Sequence, residues 1–347
     1  MKMKRGTFAR SWVLPVIVVI VAVVIVAGVF IAISLQPSGA PAKKKLKVGV
    51  VMWGFHDEGV WDTNAWEQLQ DLAKIYPIEI GCAEEVDMVK LESTLRSMVK
   101  EYDIIWAHSS SYEDAVKRVA TDNPNVYFLV EYALDRGKDY YPQNVVVIGQ
   151  DPQEALFLLG ALAAKMSTTQ KFGVIQAIND PLDTIYSNGF RDGVLYVNPN
   201  ATVSRVIMEA YLDPVKTRDS VRAFAEAGCD VVFVSMDDES GSLEAQARGI
   251  YSCQHYKDIT SIAPNTILNN AIWNYKPVLE GMINAIMNGK WLEYRNAHWF
   301  THLTLKEGTC GLGTYGNMVP QSVKDYIESL KNKIIAGEIV VTPKMEW

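Results

Sequence analysis

Between residues 47 and 272, short β-branched apolar runs alternate with helical patterns, and this alternation restricts the fold more than any other feature. The runs are Val48–Met52, Ile78–Gly81, Asp103–Ala107, Asn125–Val130 and Val145–Ile148, then Lys171–Gln176, Thr202–Met208, Asp230–Ser235, Ile250–Cys253 and Ile267–Ile272. Val48–Met52, the first of them, is a continuous β-branched apolar run of the kind that marks a strand covered on both faces. Helical spacing appears from Trp61 onward and over Val86–Lys100, Tyr112–Thr121, Pro152–Met166, Leu182–Val197, Pro214–Ala227 and Ser242–Arg248, the last closed by Gly249 at its C′ position. Strands alternating with helices predict an α/β fold of parallel sheets flanked by helices. The pattern runs through once and then again, without residue-level repetition, so two lobes are expected. The first takes residues 47–149 and 273–300, where Pro277–Met287 reads as a helix; the second takes 150–272. Residues 301–347, with a strand over Trp299–Thr304 and a helix from Pro320 to about Ala336, are left without a lobe.

The N-terminus is a separate matter. Trp12–Leu35 is uncharged and long enough to cross a bilayer with some tilt. It follows a tail of residues 1–11 and precedes a Pro/Gly/Ser-containing tether of residues 36–46. We read it as a single-pass anchor at the cell membrane, with the large domain, 47–347, outside. Residues 1–47 carry eight basic and no acidic side chains, so against a net charge of −7 for the whole chain, residues 48–347 carry −15. Such an acidic domain argues against nucleic acid as a partner.

In open parallel sheets, ligands bind at the carboxyl ends of strands. The loop Trp53-Gly54-Phe55-His56-Asp57-Glu58-Gly59 follows the first strand and is too aromatic for a plain connector. It reads as one jaw of a cleft for a flat ligand, with Trp53 and Phe55 at the mouth. Asp57 and Asp62 cap the next helix, or Asp62 reaches the ligand. Trp66 belongs to the helix core. His56 and His108 also follow strands. Asp238, in Asp237-Asp238-Glu239-Ser240, and Asp258 sit after strands too; each either caps a helix or accepts from ligand N–H or hydroxyl groups. Trp273-Asn274-Tyr275 is either core or a ligand wall. Rings beside amides and carboxylates suit a purine, which offers faces to stack on and edge groups to read. A monosaccharide would accept the same set.

Other motifs carry less. Gly311-Leu312-Gly313-Thr314-Tyr315-Gly316 matches G-x-G-x-x-G, but no βαβ unit follows it, so the glycines read as turns. His298 and His302 have metal-ligand spacing only on a helix, and a strand is expected there; no metal or cofactor is assigned. No nucleophile–base motif of a hydrolase occurs, so no catalytic residue is assigned and the protein is not read as an enzyme. Cys82, Cys229, Cys253 and Cys310 contain no C-x-x-C; one disulfide and buried free thiols are equally compatible with them.

Several stretches together resemble the BMP (basic membrane protein) family, substrate-binding proteins of ABC transporters that include purine- and nucleoside-binding members. They are Asp57-Glu58-Gly59-Val60-Trp61; Glu154, Leu158-Leu159-Gly160 and Lys165-Met166; Phe172-Gly173-Val174-Ile175-Gln176 with Gly189-Phe190-Arg191; Ala227-Gly228-Cys229-Asp230-Val231; Asn274-Tyr275-Lys276-Pro277; and Asn288-Gly289-Lys290-Trp291. The resemblance spans about residues 46–345. It implies a two-lobe, type I periplasmic-binding-protein-like fold that closes on a solute and hands it to an ABC permease. It implies that Trp61 stacks on a base, that Asp238 and Asp258 face the cleft, and that Ser109, Asn274 and Tyr275 join the contact set, with His108 where the family has Thr. Trp273 stands where a nucleoside-type member has Lys, and Ser110 where Phe is usual. The resulting expectation is a binding protein for a purine base or nucleoside. The alternatives are a sugar or small amide and, further off, a nucleoside-processing enzyme.

Overall fold

The computed structural model describes residues 45–57, 59–132 and 135–347. The expected membrane anchor and most of its tether lie outside the described residues; among those described, no helix is long and apolar enough to cross a membrane.

The first sheet contains β1 (Leu46–Val51), β2 (Ile78–Ala83), β3 (Ile104–Ala107), β4 (Tyr127–Tyr132), β5 (Val145–Gly149) and, far along the chain, β11 (Phe300–Thr301), in the order β11-β5-β4-β3-β1-β2. Every pairing is parallel. Its inner strands β1, β3 and β5 are buried nearly throughout, as continuous apolar runs require, while the edge strands β2 and β11 are mostly half-buried. The helices α1 (Trp61–Ile75), α2 (Leu91–Met98), α3 (Glu113–Asp122), α8 (Lys276–Met287) and α9 (Trp291–Ala297) complete this lobe.

The second sheet repeats the plan. It runs β12-β10-β9-β8-β6-β7, built from β6 (Lys171–Gln176), β7 (Thr202–Ile207), β8 (Val231–Ser235), β9 (Tyr251–Tyr256), β10 (Ile267–Trp273) and β12 (Cys310–Leu312). All pairings are parallel except β12 on β10. The helices are α4 (Gln153–Met166), α5 (Pro181–Val197), α6 (Pro214–Glu226), α7 (Ser240–Arg248) and α10 (Gln321–Ile335). The chain crosses between lobes after β5, after β10 and after β11.

Helices α4 and α5 pack so closely that side chains are excluded at the crossing. A Cβ on Gly160 would lie 1.9 Å from the Phe190 carbonyl oxygen, and one on Gly193 would lie 1.9 Å from that of Phe157.

Several elements differ from the sequence expectation. Helix α2 starts at Leu91, not Val86, because the Asp87 carboxylate turns back onto the Val89 and Lys90 N–H groups at 3.0 and 2.9 Å. Helix α9 was not expected; only seven residues long, it is held by burial of Trp291 and Arg295. The strand over Trp299–Thr304 shortens to Phe300–Thr301. The first glycine of the G-x-G-x-x-G stretch lies in β12, which pairs antiparallel with β10 rather than opening a helix. Strand β9 runs on through Gln254 and His255 to Tyr256, all buried, where the apolar run ends at Cys253. All four cysteines are free thiols.

Candidate ligand-binding cleft

Each sheet has a reversal of strand order, between β1 and β3 in one and between β6 and β8 in the other. Loops leaving neighbouring strands at such a point diverge and leave a crevice at the carboxyl ends. The two crevices face each other across a cavity of about 340 Å³. The first lobe contributes Trp53 and Gly54 after β1, Trp61 and Asp62 at the start of α1, Ser109–Ser111 after β3 and Gln150 after β5. The second contributes Leu182, Asp183 and Tyr186 from the first turns of α5, Tyr211 after β7, Asp237 after β8 and Tyr256 at the end of β9. That volume is at the small end of the roughly 300–1,000 Å³ typical of small-molecule sites.

The rings are held from behind. The Trp53 ring stacks on Tyr112 at 5.8 Å, and its Nε1–H donates to Ser109 Oγ at 2.9 Å. Trp61 faces Tyr256 across the lobe boundary, with ring centres 5.9 Å apart and planes 25° from parallel. Tyr186 and Tyr256 rest edge-on against buried Trp273 at 5.5 and 5.0 Å.

The cleft is acidic. Its lining contains Asp62, Asp183 and Asp237 and neither Lys nor Arg. Burial raises the Asp62 carboxyl pKa against the opposing pull of His108. Burial pushes Asp183 up to about 7, with Asp180 adding to the effect. Asp237 also reaches about 7 by burial, although the Trp61 and Val60 N–H groups donate to it. Each carboxylate is thus costly to keep charged without a donor. Among the described residues, the cleft holds no group of three His, Cys or acidic side chains placed to bind a metal.

Of the residues singled out from the sequence, the structure brings Trp53, Trp61, Asp62 and Ser109 together in this lining. The others stand elsewhere. Phe55 is 37% exposed, outside the lining. His108 lies fully buried behind Trp61, ion-paired with Glu131; burial alone would lower its pKa, but the Glu131 and Asp62 carboxylates and the Trp61 carbonyl together raise it. Tyr275 is also fully buried, packed edge-on against His108, with its N–H on Gln68 Oε1 at 2.7 Å. Asp238 folds back to accept from Ser240 N–H at 2.7 Å and opens α7, while its neighbour Asp237 faces the cleft. Asp258 and Asn274 line a different depression of about 410 Å³. There Asp258 accepts from the Thr260 and Thr314 N–H groups at 3.0 and 2.7 Å. Asn274 ties down the return crossing through its N–H to Thr309 O and its Nδ2 to Gly308 O, both at 2.8 Å.

The sequence reading did not single out Gln150, Asp183, Tyr186, Tyr211 or Tyr256, and it named Asp237 only as part of the run Asp237–Ser240. The rule that singled out loops after strands, applied to residues 177–183, points to Asp183. Nothing in the local pattern marks Tyr256, because Gln254 and His255 hide the strand that carries it.

Two lobes of parallel sheet with facing carboxyl ends and a ring-lined cavity between them define a cleft-binding protein of the periplasmic-binding-protein type. The chain belongs to the family of PnrA-like ABC transporter substrate-binding proteins, whose model matches residues 45–344. It is 26% identical over 304 residues to a purine-binding protein of Brucella abortus, covering 86% of this chain and 84% of that one. It is 23% identical to basic membrane protein B of Borreliella burgdorferi, covering 93% and 96%. The fold is shared with an ABC transporter solute-binding protein of Conexibacter woesei, with a TM-score of 0.74 at 18% identity over 86% of this chain and 99% of that one. It is also shared with a transcriptional activator of the comK gene from Bacillus halodurans, with a TM-score of 0.70 at 18% identity over 85% and 100%.

Proposed function

We propose that the cleft captures a purine base or nucleoside outside the cell and delivers it to the permease of an ABC importer. The observation that carries this reading is the meeting of two indole rings and three carboxylates in one cavity. Indoles stack on a flat heterocycle, and carboxylates accept from its ring and exocyclic N–H groups. A donor-rich base also relieves the burial of Asp62, Asp183 and Asp237. The name of the Brucella abortus relative supports the same ligand class.

Closure of the lobes around the ligand is the functional step, and no bond is made or broken. The uncharged stretch Trp12–Leu35 would keep the domain at the membrane, beside the permease.

Mass spectrometry of the small molecule that co-purifies with the protein tests the reading directly. A thermal-shift panel of purine bases, nucleosides, pentoses, hexoses and small amides then ranks affinity, because a ligand bound only by the folded state raises the melting temperature. A purine in the cleft and purine-selective stabilisation are expected. A sugar or amide in their place overturns the proposal, and free base released from an added nucleoside identifies an enzyme.

A further inference from the structure

Outside the cleft, the aromatic loop after β1 and the end of β2 bring together three side chains that neither the fold nor the cleft explains. Cys82 and Glu84 are two residues apart along the extended chain and so project to the same side. His56 reaches them from the loop. The ligand-capable atoms of all three lie within 4.8 Å of one another, and among the described residues theirs is the group placed to hold a metal ion. His56 Nδ1 is 2.5 Å from Glu84 Oε1, which also accepts from the His56 backbone N–H at 2.8 Å. The imidazole is set edge-on against Trp66 at 5.3 Å. The side chains of His56 and Glu84 are 37% and 29% exposed, so solvent reaches the trio without unfolding.

We propose that His56, Cys82 and Glu84 bind one zinc ion, with water in the fourth position. A thiolate, an imidazole and a carboxylate form a mixed N/S/O set, which selects against magnesium and calcium and suits tetrahedral zinc. Zinc at its usual bond lengths of about 2.0–2.3 Å holds its donors about 3.4–3.7 Å apart. The His56–Glu84 pair therefore opens by about 1 Å, a movement within reach of carboxylate rotation, and the ion takes the place of their hydrogen bond. The Cys82 proton leaves to solvent as the zinc–sulfur bond forms.

The loop so clamped also carries cleft residues. Gly54 N–H donates to Asp62 Oδ2 at 2.8 Å, Gly54 O accepts from Glu85 N–H at 3.2 Å, and Trp53 lines the cavity. Zinc replaces the His56–Glu84 side-chain hydrogen bond that already fastens the same loop and ties the loop to Cys82 as well.

The test is a titration of the untagged, metal-free full-length protein with Zn²⁺ against a chromophoric chelator, repeated with Co²⁺ by absorption. One zinc per chain is expected, together with a sulfur-to-cobalt charge-transfer band. Even an outer-shell partner is worth about 10–100-fold in metal affinity, so Cys82→Ser and His56→Ala should each weaken zinc by about tenfold or more. Both should retain the wild-type far-ultraviolet dichroism, and Cys82→Ser should abolish the band. Cys229→Ser, remote from the trio, should change nothing. Absence of zinc binding in the wild type overturns the site. So does binding that survives in both variants, or a cobalt complex without a sulfur band. None of these readouts depends on which solute the cleft takes.

Discussion

Asp237, from the second lobe, accepts through one carboxylate oxygen from the backbone N–H of Trp61 at 2.7 Å and of Val60 at 2.8 Å, at the start of α1 in the first lobe. A helix N-terminus presents unsatisfied donors and a positive dipole end, so a carboxylate there is a natural latch between lobes. Hydrogen bonds to a charged group are worth about 1.5–3 kcal/mol each. Asp237→Ala should therefore shift the unliganded protein toward an open form. Small-angle scattering should register a larger radius of gyration than in the wild type, and identical scattering curves would refute the latch.

Trp61 faces Tyr256 across the cleft. Stacking of a base on an aromatic ring is worth about 1–3 kcal/mol. Trp61→Ala should weaken purine binding accordingly in calorimetry, while Trp66→Ala, on the same helix and outside the cleft lining, should leave affinity near the wild-type value. Unchanged purine affinity in Trp61→Ala sinks the stacking role.

Asp183 carries the clearest pH signature. Burial raises its pKa from 3.8 to about 7, so between those values the folded state binds more protons than the unfolded. Stability contributed by this group is therefore highest below about pH 4 and falls as pH rises toward 7. Asp183→Asn removes the charge and keeps the shape. The variant should melt higher than the wild type at pH 8, with the difference shrinking at pH 4–5. A melting difference independent of pH would show that Asp183 titrates normally.

At the α4–α5 crossing, Gly160 and Gly193 leave no room for a methyl group, and the atoms opposite are backbone carbonyls that cannot rotate away. Overpacking of this kind costs about 1–3 kcal/mol or more. Gly160→Ala and Gly193→Ala should each lower the urea midpoint, whereas Gly137→Ala tests a site whose Cβ would meet nothing within 4 Å and whose cost comes from its positive φ of 87° alone. Equal midpoints for wild type and both crossing variants would contradict the packing.

The parallel architecture was legible because a strand buried on both faces favours an unbroken apolar run, and the inner strands β1, β3, β5 and β8 are such runs. Local reading failed where burial rests on polar side chains. Strand β9 continues through Gln254, whose amide donates to the Met236 and Asp238 carbonyls, and His255, which pairs with Ser235 Oγ at 2.6 Å. Hydrogen bonding lets such side chains be buried, although His255 Nδ1 is left without a partner, and no periodicity announces them. Asp237 and Asp238 are adjacent acids of identical chemistry, and only the turn opening α7 decides which of them faces the cleft.

By itself the amino-acid order determined most of the strands and helices, the family, and the loop carrying Trp53 that leads into Trp61. Tertiary structure decided the composition of the cleft and of the His56–Cys82–Glu84 group. Asp62 and Asp183 come from the first turns of helices on different lobes and Asp237 from a loop, and His56 meets Cys82 only because β1 and β2 pair in parallel. Contacts between residues distant in sequence are set by sheet register and lobe closure, and no local pattern encodes either.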